Sequence, residues 1–145
     1  MYTKLLWAAD GSDTAELALV EGLRMLDQGG KLYAFHCDQR FVGGRGGGEP
    51  ILIDETDRLT RIRERVAELT ANGVDAELIV ETTHHSAAHQ IVKAADELGV
   101  EAIVCGTRGL GGLQGALLGS VARELLHHAR VPVIVVPAKV AAPTV

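Results

Sequence analysis

Short apolar runs alternate with helical patterns along the 145-residue chain, and this alternation constrains the fold more than any other feature. The apolar runs are Lys4 to Ala9, Leu32 to Cys37, Ala76 to Val80, Ala102 to Cys105 and Val133 to Val136. Between them, apolar residues recur every three or four positions, as on one face of a helix. Such alternation predicts a parallel sheet with right-handed crossovers and helices on both faces. We therefore expect one doubly wound α/β domain, with its ligand crevice where the winding reverses.

The domain is expected to span residues 1–138, because a chain of this length suits one core. Residues 43–48 form the one low-complexity patch, Gly-Gly-Arg-Gly-Gly-Gly, and predict a mobile loop over 42–50. Residues 139–145 show no periodicity and are predicted to fray. The last apolar run, 133–136, predicts an exposed sheet edge, which favours pairing with a second copy.

The segment from 102 to 130 carries the strongest functional signal. An apolar strand is followed by a glycine-rich loop and then by a helical pattern that begins at Gly119-Ser120. The loop glycines are Gly106, Gly109, Gly111, Gly112, Gly115 and Gly119. A helix start leaves backbone N–H groups without partners, and glycines let an anion approach the backbone closely. The pattern predicts a phosphate site, with Ser120 as the N-cap of the helix.

Asp10 directly follows the first apolar run, in the sequence Asp-Gly-Ser-Asp. In an open α/β sheet, ligands bind outside the carboxyl ends of the strands, where both Asp10 and Gly106 are expected. The Asp10 carboxylate could accept hydrogen bonds from ribose hydroxyls, or it could serve the turn and the cap of the next helix. The sequence leaves both roles open. That next helix is predicted to be capped by Ser12 or Asp13 and to stop at Gly29-Gly30.

Composition excludes several classes of function. The net charge of −5 argues against nucleic acid and against an anionic membrane as the main partner. No apolar run approaches the length of a membrane span, and the chain enters a strand pattern at once, so we expect no signal peptide.

Cys37 and Cys105 lie in apolar patterns and predict buried thiols in a reducing cytoplasm rather than a disulfide.

His85 and His89 are one helical turn apart, with His84 beside them, and could share a metal ion. No neighbouring cysteine or carboxylate completes a convincing set of ligands. We therefore expect surface histidines and no native metal site.

The glycine spacing Gly106-x-x-Gly109, nine residues, Gly119-Ser120 resembles the ATP-binding signature of the universal stress protein family. The segments 8–12, 103–109 and 131–137 resemble that family's first strand and turn, fourth strand and loop, and closing strand. The resemblance covers nearly the whole chain.

The resemblance implies a five-stranded sheet in the order 3-2-1-4-5, ATP binding, and a homodimer formed through strand 133–136. The implied ATP-binding residues are Ala9, Asp10, Cys37, Cys105, Gly106, Thr107, Arg108, Gly109, Gly119, Ser120, Val121 and Ala122. The first five would surround the adenosine, the next three would start the phosphate loop, and the last four would hold the phosphates. Mg²⁺ or Mn²⁺ would be held through the phosphates and water, with no metal ligand from the protein.

The chain departs from the family pattern in three places. His84-His85-Ser86-Ala87 stands where a Gly-x-Pro element is frequent, so the third helix is expected to start differently. The loop after the second strand is unusually rich in glycine, which bears on access to the base. Ala122 stands where some members carry a hydroxyl residue, so one phosphate contact is expected to be missing.

These observations favour a nucleotide-dependent stress or regulatory protein with little or no hydrolysis, since no catalytic base is placed beside the phosphates. An enzyme is disfavoured because the Gly-Lys-Ser/Thr of a P-loop, a Gly-x-Gly-x-x-Gly and a His-x-Gly-His set are absent. The alternatives are a nucleotide-independent interaction module of the same fold and a slow ATPase. The sequence leaves open the partner, the inducing stress, the resting nucleotide, and the roles of the glycine-rich loop and of His84, His85 and His89.

Overall fold

A computed structural model describes residues 1–38, 49–82, 86–107 and 118–138, with the backbone alone for 49–54. The strands are β1 (Tyr2–Ala8), β2 (Leu26–Asp38), β3 (Asp75–Thr82), β4 (Ala102–Gly106) and β5 (Val133–Val136). The helices are α1 (Asp13–Met25), α2 (Glu49–Ala71), α3 (Ala87–Leu98) and α4 (Ser120–His128). The strands form a parallel sheet in the order β3-β2-β1-β4-β5, which confirms the predicted fold and order.

Two apolar cores lie on opposite faces of the sheet, as a doubly wound fold requires. One core joins the sheet to α1 and α2 and includes Trp7, Leu19 and Ile62. The other joins it to α3 and α4 and includes Phe35, Ile91 and Leu125. Aliphatic side chains make up most of both cores, beside the aromatic residues Trp7 and Phe35.

The predicted end of α1 at Gly29-Gly30 is wrong, because the helix ends at Met25 and β2 begins at Leu26. Leu26 has extended backbone angles, with φ −85° and ψ 131°, and packs against the α1–α2 core. Gly29, at φ +81°, lies in β2 where the register with β1 shifts between Tyr2 and Lys4. The apolar spacing of α1 continues into Leu26, so it concealed the change from helix to strand.

The predicted loop over 42–50 lies mostly outside the described residues, and α2 begins at Glu49. His84, His85 and the tail 139–145 also lie outside them. Among the helices that the structure describes, none combines the length and the apolar character needed to cross a membrane.

Candidate functional site

The carboxyl ends of β1 and β4 lie side by side at the point where the winding reverses. Trp7 pairs with Val104 in parallel register, so Ala9 and Gly106 continue to neighbouring positions two residues later. The first turn of α1 packs directly behind Gly106: a Cβ there would lie 2.9 Å from the backbone oxygen of Thr14. Gly106 therefore allows β4 to approach α1 more closely than a side chain would permit.

The N-terminus of α4 is tied to the end of β4 by a backbone hydrogen bond. The Gly119 amide donates to the Thr107 oxygen at 2.5 Å, across the segment 108–117 that lies outside the described residues. Gly119 is the N-cap and Ser120 the first helical residue, so the prediction of Ser120 as N-cap is wrong by one position. Because Gly119 has no side chain, no side chain in the described part of the chain caps the helix, and its first-turn amides suit an external anion.

Asp10 stabilises the turn between β1 and α1. Its Oδ1 accepts a hydrogen bond from the Ser12 amide at 2.8 Å and another from the Ser12 hydroxyl. Ser12 in turn caps α1, because its Oγ accepts from the Ala15 amide at 3.2 Å. The turn role of Asp10 is thus confirmed for one carboxylate oxygen, while Ser12 is the cap of α1. A ribose contact stays a prediction for the other oxygen.

Both cysteines lie at strand ends beside this region and are neutral thiols. Burial raises the pKa of Cys37 to about 12, with a smaller contribution from the Glu81 carboxylate. Burial likewise raises the pKa of Cys105 to about 12, with a smaller contribution from Asp10. Asp10 and Cys105 follow strands β1 and β4, which pair side by side. The two thiols contribute apolar surface rather than charge.

The described part of the predicted ATP site divides into three groups. Ala9, Asp10, Cys105, Gly106 and Thr107 end β1 and β4, and Gly119, Ser120, Val121 and Ala122 start α4. Cys37 lies one strand away on β2, with Sγ 3.7 Å from the backbone oxygen of Ala87 at the start of α3. Arg108 and Gly109 lie outside the described residues.

Within α4, the three residues after Gly119 differ in what they can offer a ligand. Ser120 is exposed, and Val121 is half-buried. The Ala122 side chain is 3% exposed and packs in the α3–α4 core, so its backbone N–H alone could face a phosphate.

Sequence reasoning missed a buried polar connection behind the strand ends. His36 on β2 contacts both the Ala9 backbone oxygen and the Glu55 carboxylate of α2. A histidine within an otherwise apolar strand was the available signal, since a buried ring must satisfy both nitrogens.

Two other features do not form part of this site. A surface cavity of about 270 Å³ lies between α1 and α2, but its Arg65 already binds Glu16 and Glu68. His89 is exposed on α3, and among the described residues no cluster of three His, Cys, Asp or Glu side chains could hold a metal ion.

Fold and site together define a doubly wound α/β protein whose β1 and β4 end side by side, next to a helix start that no described side chain caps. The chain belongs to the universal stress protein family, whose sequence model matches residues 1–137.

Three of the relatives match this chain over nearly the whole length of both proteins. The universal stress protein YxiE of Bacillus subtilis (strain 168) is 32% identical over 152 residues, which cover 94% of this chain and 99% of YxiE. The solved structure of MJ0577, a Methanocaldococcus jannaschii protein, matches at a TM-score of 0.69 and 25% identity, over 97% of this chain and 99% of MJ0577. A universal stress protein from Archaeoglobus fulgidus, solved in complex with dAMP, matches at a TM-score of 0.60 and 26% identity, over 93% and 97% of the two chains.

Proposed function

We propose that this protein binds ATP at the ends of β1 and β4 and acts as a nucleotide-dependent stress or regulatory protein. The observation that carries the proposal is the hydrogen bond from the Gly119 amide to the Thr107 oxygen. It holds a helix start that no described side chain caps directly beside two adjacent strand ends. A nucleotide has the matching shape, with an apolar base at one end and an anionic tail at the other.

The phosphates are expected to bind the first-turn amides of α4. A hydrogen bond to a charged group contributes about 1.5–3 kcal/mol. The helix macrodipole adds about 0.3–1 kcal/mol near the surface. The amides of Ser120, Val121 and Ala122 therefore dominate phosphate affinity, whereas the net charge of −5 opposes binding only through screened long-range repulsion.

The adenosine is expected to lie across the ends of β1, β2 and β4. Ala9, Cys37 and Cys105 offer apolar surface, and the second oxygen of Asp10 faces the ribose in this proposal. The A. fulgidus relative supports an adenine nucleotide, since dAMP shares the adenine and the 5′-phosphate with ATP. We place Arg108 and Gly109 in the same phosphate loop.

Mg²⁺ or Mn²⁺ would bind with the triphosphate, held by phosphate oxygens and water. We propose little or no hydrolysis, because Asp10, the carboxylate at the end of β1, already engages Ser12. Bound ATP would instead serve as a signal read by a partner. We also propose that the protein acts in the cytoplasm, where thiols stay reduced, and as a homodimer joined through β5.

Calorimetric titration of the purified protein with ATP and Mg²⁺ tests the proposal. We expect a dissociation constant in the micromolar range for the wild type and at least about tenfold weaker binding for Gly119→Val. Gly119 has φ −68° and ψ 164°, which valine accepts, so the variant is expected to fold. Ala67→Val, at an exposed position of α2, is the matched control and is expected to bind as the wild type does.

Two results of these experiments would favour the alternative functions, an interaction module or a slow ATPase. No heat of binding at millimolar ATP with folded protein would favour the nucleotide-independent interaction module. Phosphate release that is abolished by Gly119→Val would identify a slow ATPase, because a contaminating enzyme would not respond to that substitution.

A further inference from the structure

His36 is a buried histidine whose two ring nitrogens both have protein partners. Its Nδ1 lies 2.8 Å from the backbone oxygen of Ala9, and its Nε2 lies 2.5 Å from Oε1 of Glu55. The His36 side chain is 4% exposed and the Glu55 side chain 14%. The ring therefore joins the end of β1 to α2 through β2, with little access for water.

The partners determine where the protons lie. A backbone oxygen can only accept, so Nδ1 must carry a proton and donate it to Ala9. At 2.5 Å, Nε2 and the Glu55 carboxyl must share a second proton, since two bare acceptors at that distance would repel each other. This proton lies on the ring or on Glu55, and in either form Nδ1 remains the donor to Ala9.

Two consecutive residues of β2 therefore hold the backbone of Ala9 by hydrogen bonds. The Ala9 amide donates to the Phe35 oxygen at 2.9 Å, while the Ala9 oxygen accepts from His36. Ala9 lies just beyond the end of β1, and Asp10 follows it directly. The two hydrogen bonds thus fix the backbone from which the proposed adenosine contacts extend.

The same turn of α2 meets the β1–α1 segment at a second point. Arg58 packs against Gly11, where an added Cβ would lie 2.8 Å from the Arg58 Cβ, and Gly11 has φ +79°. The Arg58 guanidinium also lies 3.5 Å from Glu55. One turn of α2 thus contacts the start of the candidate site through Glu55 and through Arg58.

We propose that His36 is a positioning residue for nucleotide binding: it holds the Ala9 oxygen, and Glu55 of α2 holds its ring. This inference rests on the proposed function and adds that a hydrogen bond behind the strand ends, from His36 to the Ala9 oxygen, raises the affinity for nucleotide. The ring itself does not touch the ligand. It acts through the Ala9–Asp10 backbone.

Two substitutions of His36 separate its two contacts. In His36→Asn the amide nitrogen replaces Nδ1, so the contact with Ala9 is kept and that with Glu55 is lost. In His36→Gln the amide nitrogen replaces Nε2, so Glu55 is kept and Ala9 is lost. We expect His36→Gln to bind ATP about tenfold more weakly and His36→Asn within about threefold of the wild type, in the same titration with Mg²⁺.

A second pair at Glu55 covers the case in which His36→Gln does not fold. Glu55→Gln can donate to a neutral ring and is expected to keep affinity within about threefold, whereas Glu55→Ala releases the ring and is expected to lose about tenfold. His127→Asn, exposed at the far end of α4, is the control for a histidine substitution and should bind as the wild type does. Equal losses for the Asn and Gln variants of His36, or for the two Glu55 variants, would overturn the positioning role.

Nitrogen NMR of the His36 ring tests the geometry without nucleotide, and a wild-type Nδ1 without its proton would overturn the proposal. The remaining outcomes distinguish the two proposals. If the wild type binds ATP and His36→Gln binds equally well, the positioning role alone fails. If the wild type binds no ATP although Nδ1 is protonated, the proposed function fails, and the contact is purely structural.

Discussion

Gly106 occupies a position that has no room for the methyl group of an alanine side chain. Its Cβ would lie 2.9 Å from the Thr14 backbone oxygen, and the backbone of α1 cannot move without disturbing the core. We expect Gly106→Ala to lower the free energy of unfolding by about 1–3 kcal/mol. Urea unfolding followed by the fluorescence of Trp7, the one tryptophan of the chain, measures this loss.

Gly22→Ala is the matched control for this prediction. The added Cβ would lie 3.0 Å from a methyl group of Val104, which can shift slightly. Alanine also gains about 0.5–1 kcal/mol in a helix relative to glycine. We expect a net change below about 1 kcal/mol, and equal losses for the two variants would show that the backbone contact at Gly106 is not the cause.

The two cysteines give a second prediction for single residues. With pKa values raised by burial to about 12, Cys37 and Cys105 stay neutral at pH 8, whereas most reagents attack the thiolate. We expect iodoacetamide to modify neither thiol in the folded protein and both in guanidinium chloride, as measured by mass spectrometry. Rapid labelling of the folded protein at either thiol would contradict the prediction.

The same shift has a consequence for stability, with a definite sign. A raised pKa in the folded state means that the unfolded chain loses the thiol protons first, at the ordinary value of 9.0. The contribution of the thiols to stability is complete below pH 9 and is lost as the pH rises towards 12. When both cysteines are replaced by alanine, the unfolding temperature should therefore decrease less steeply as the pH rises above 9.

At the scale of elements, Glu101 joins the start of β4 to the start of β1. Its Oε1 accepts from the Thr3 hydroxyl at 2.5 Å, the Thr3 amide at 2.7 Å and the Lys4 amide at 3.0 Å. These hydrogen bonds lower the pKa of Glu101, so its contribution is present above the ordinary value of 4.5 and is lost as the pH falls below it. We expect Glu101→Gln to lower the unfolding temperature at pH 7 and the gap to the wild type to close under acid.

Glu97→Gln is the control for this prediction, since Glu97 is an exposed carboxylate on the neighbouring helix α3. It is expected to leave the unfolding temperature near the wild-type value at both pH values. A gap for Glu101→Gln that does not change with pH would mean that its charge plays no part.

Local patterns predicted the elements well where one face of each is buried, and the order of the strands followed from the family resemblance. The local patterns failed where the apolar periodicity continues across the boundary between two elements, as at Leu26 between α1 and β2. An apolar residue suits the end of a helix as well as the start of a strand. The contact between His36 and Glu55 was out of reach for another reason. The residues are 19 positions apart, and α2 carries several carboxylates, so no local rule selects the one that meets the ring.

At the scale of the whole molecule, β5 is an edge strand of the sheet. The backbone amides and carbonyls of its successive residues point alternately towards β4 and towards the open edge. Pro132 and Val136 accept hydrogen bonds from Ile103 and Thr107 of the β4 segment, at 2.9 and 3.1 Å. Because the direction of the backbone groups alternates from residue to residue along a strand, the amide of Ile134 also faces β4 and the amide of Val135 faces the open edge. The homodimer proposed through β5 would use this outward amide.

Proline tests the dimer because it removes the amide donor, and an edge strand tolerates proline where that donor faces outward. We expect Val135→Pro to fold, to keep its affinity for ATP and to sediment as a monomer, because the lost donor faces the second copy. Ile134→Pro, one residue earlier, removes an inward donor instead and should destabilise the β4–β5 pairing by about 1–3 kcal/mol, because it leaves a buried acceptor on β4 without its partner. Analytical ultracentrifugation of the wild type and both variants measures the mass. A wild-type monomer, or a Val135→Pro dimer as stable as the wild type, would show that copies of this chain do not associate through the outward amide of β5.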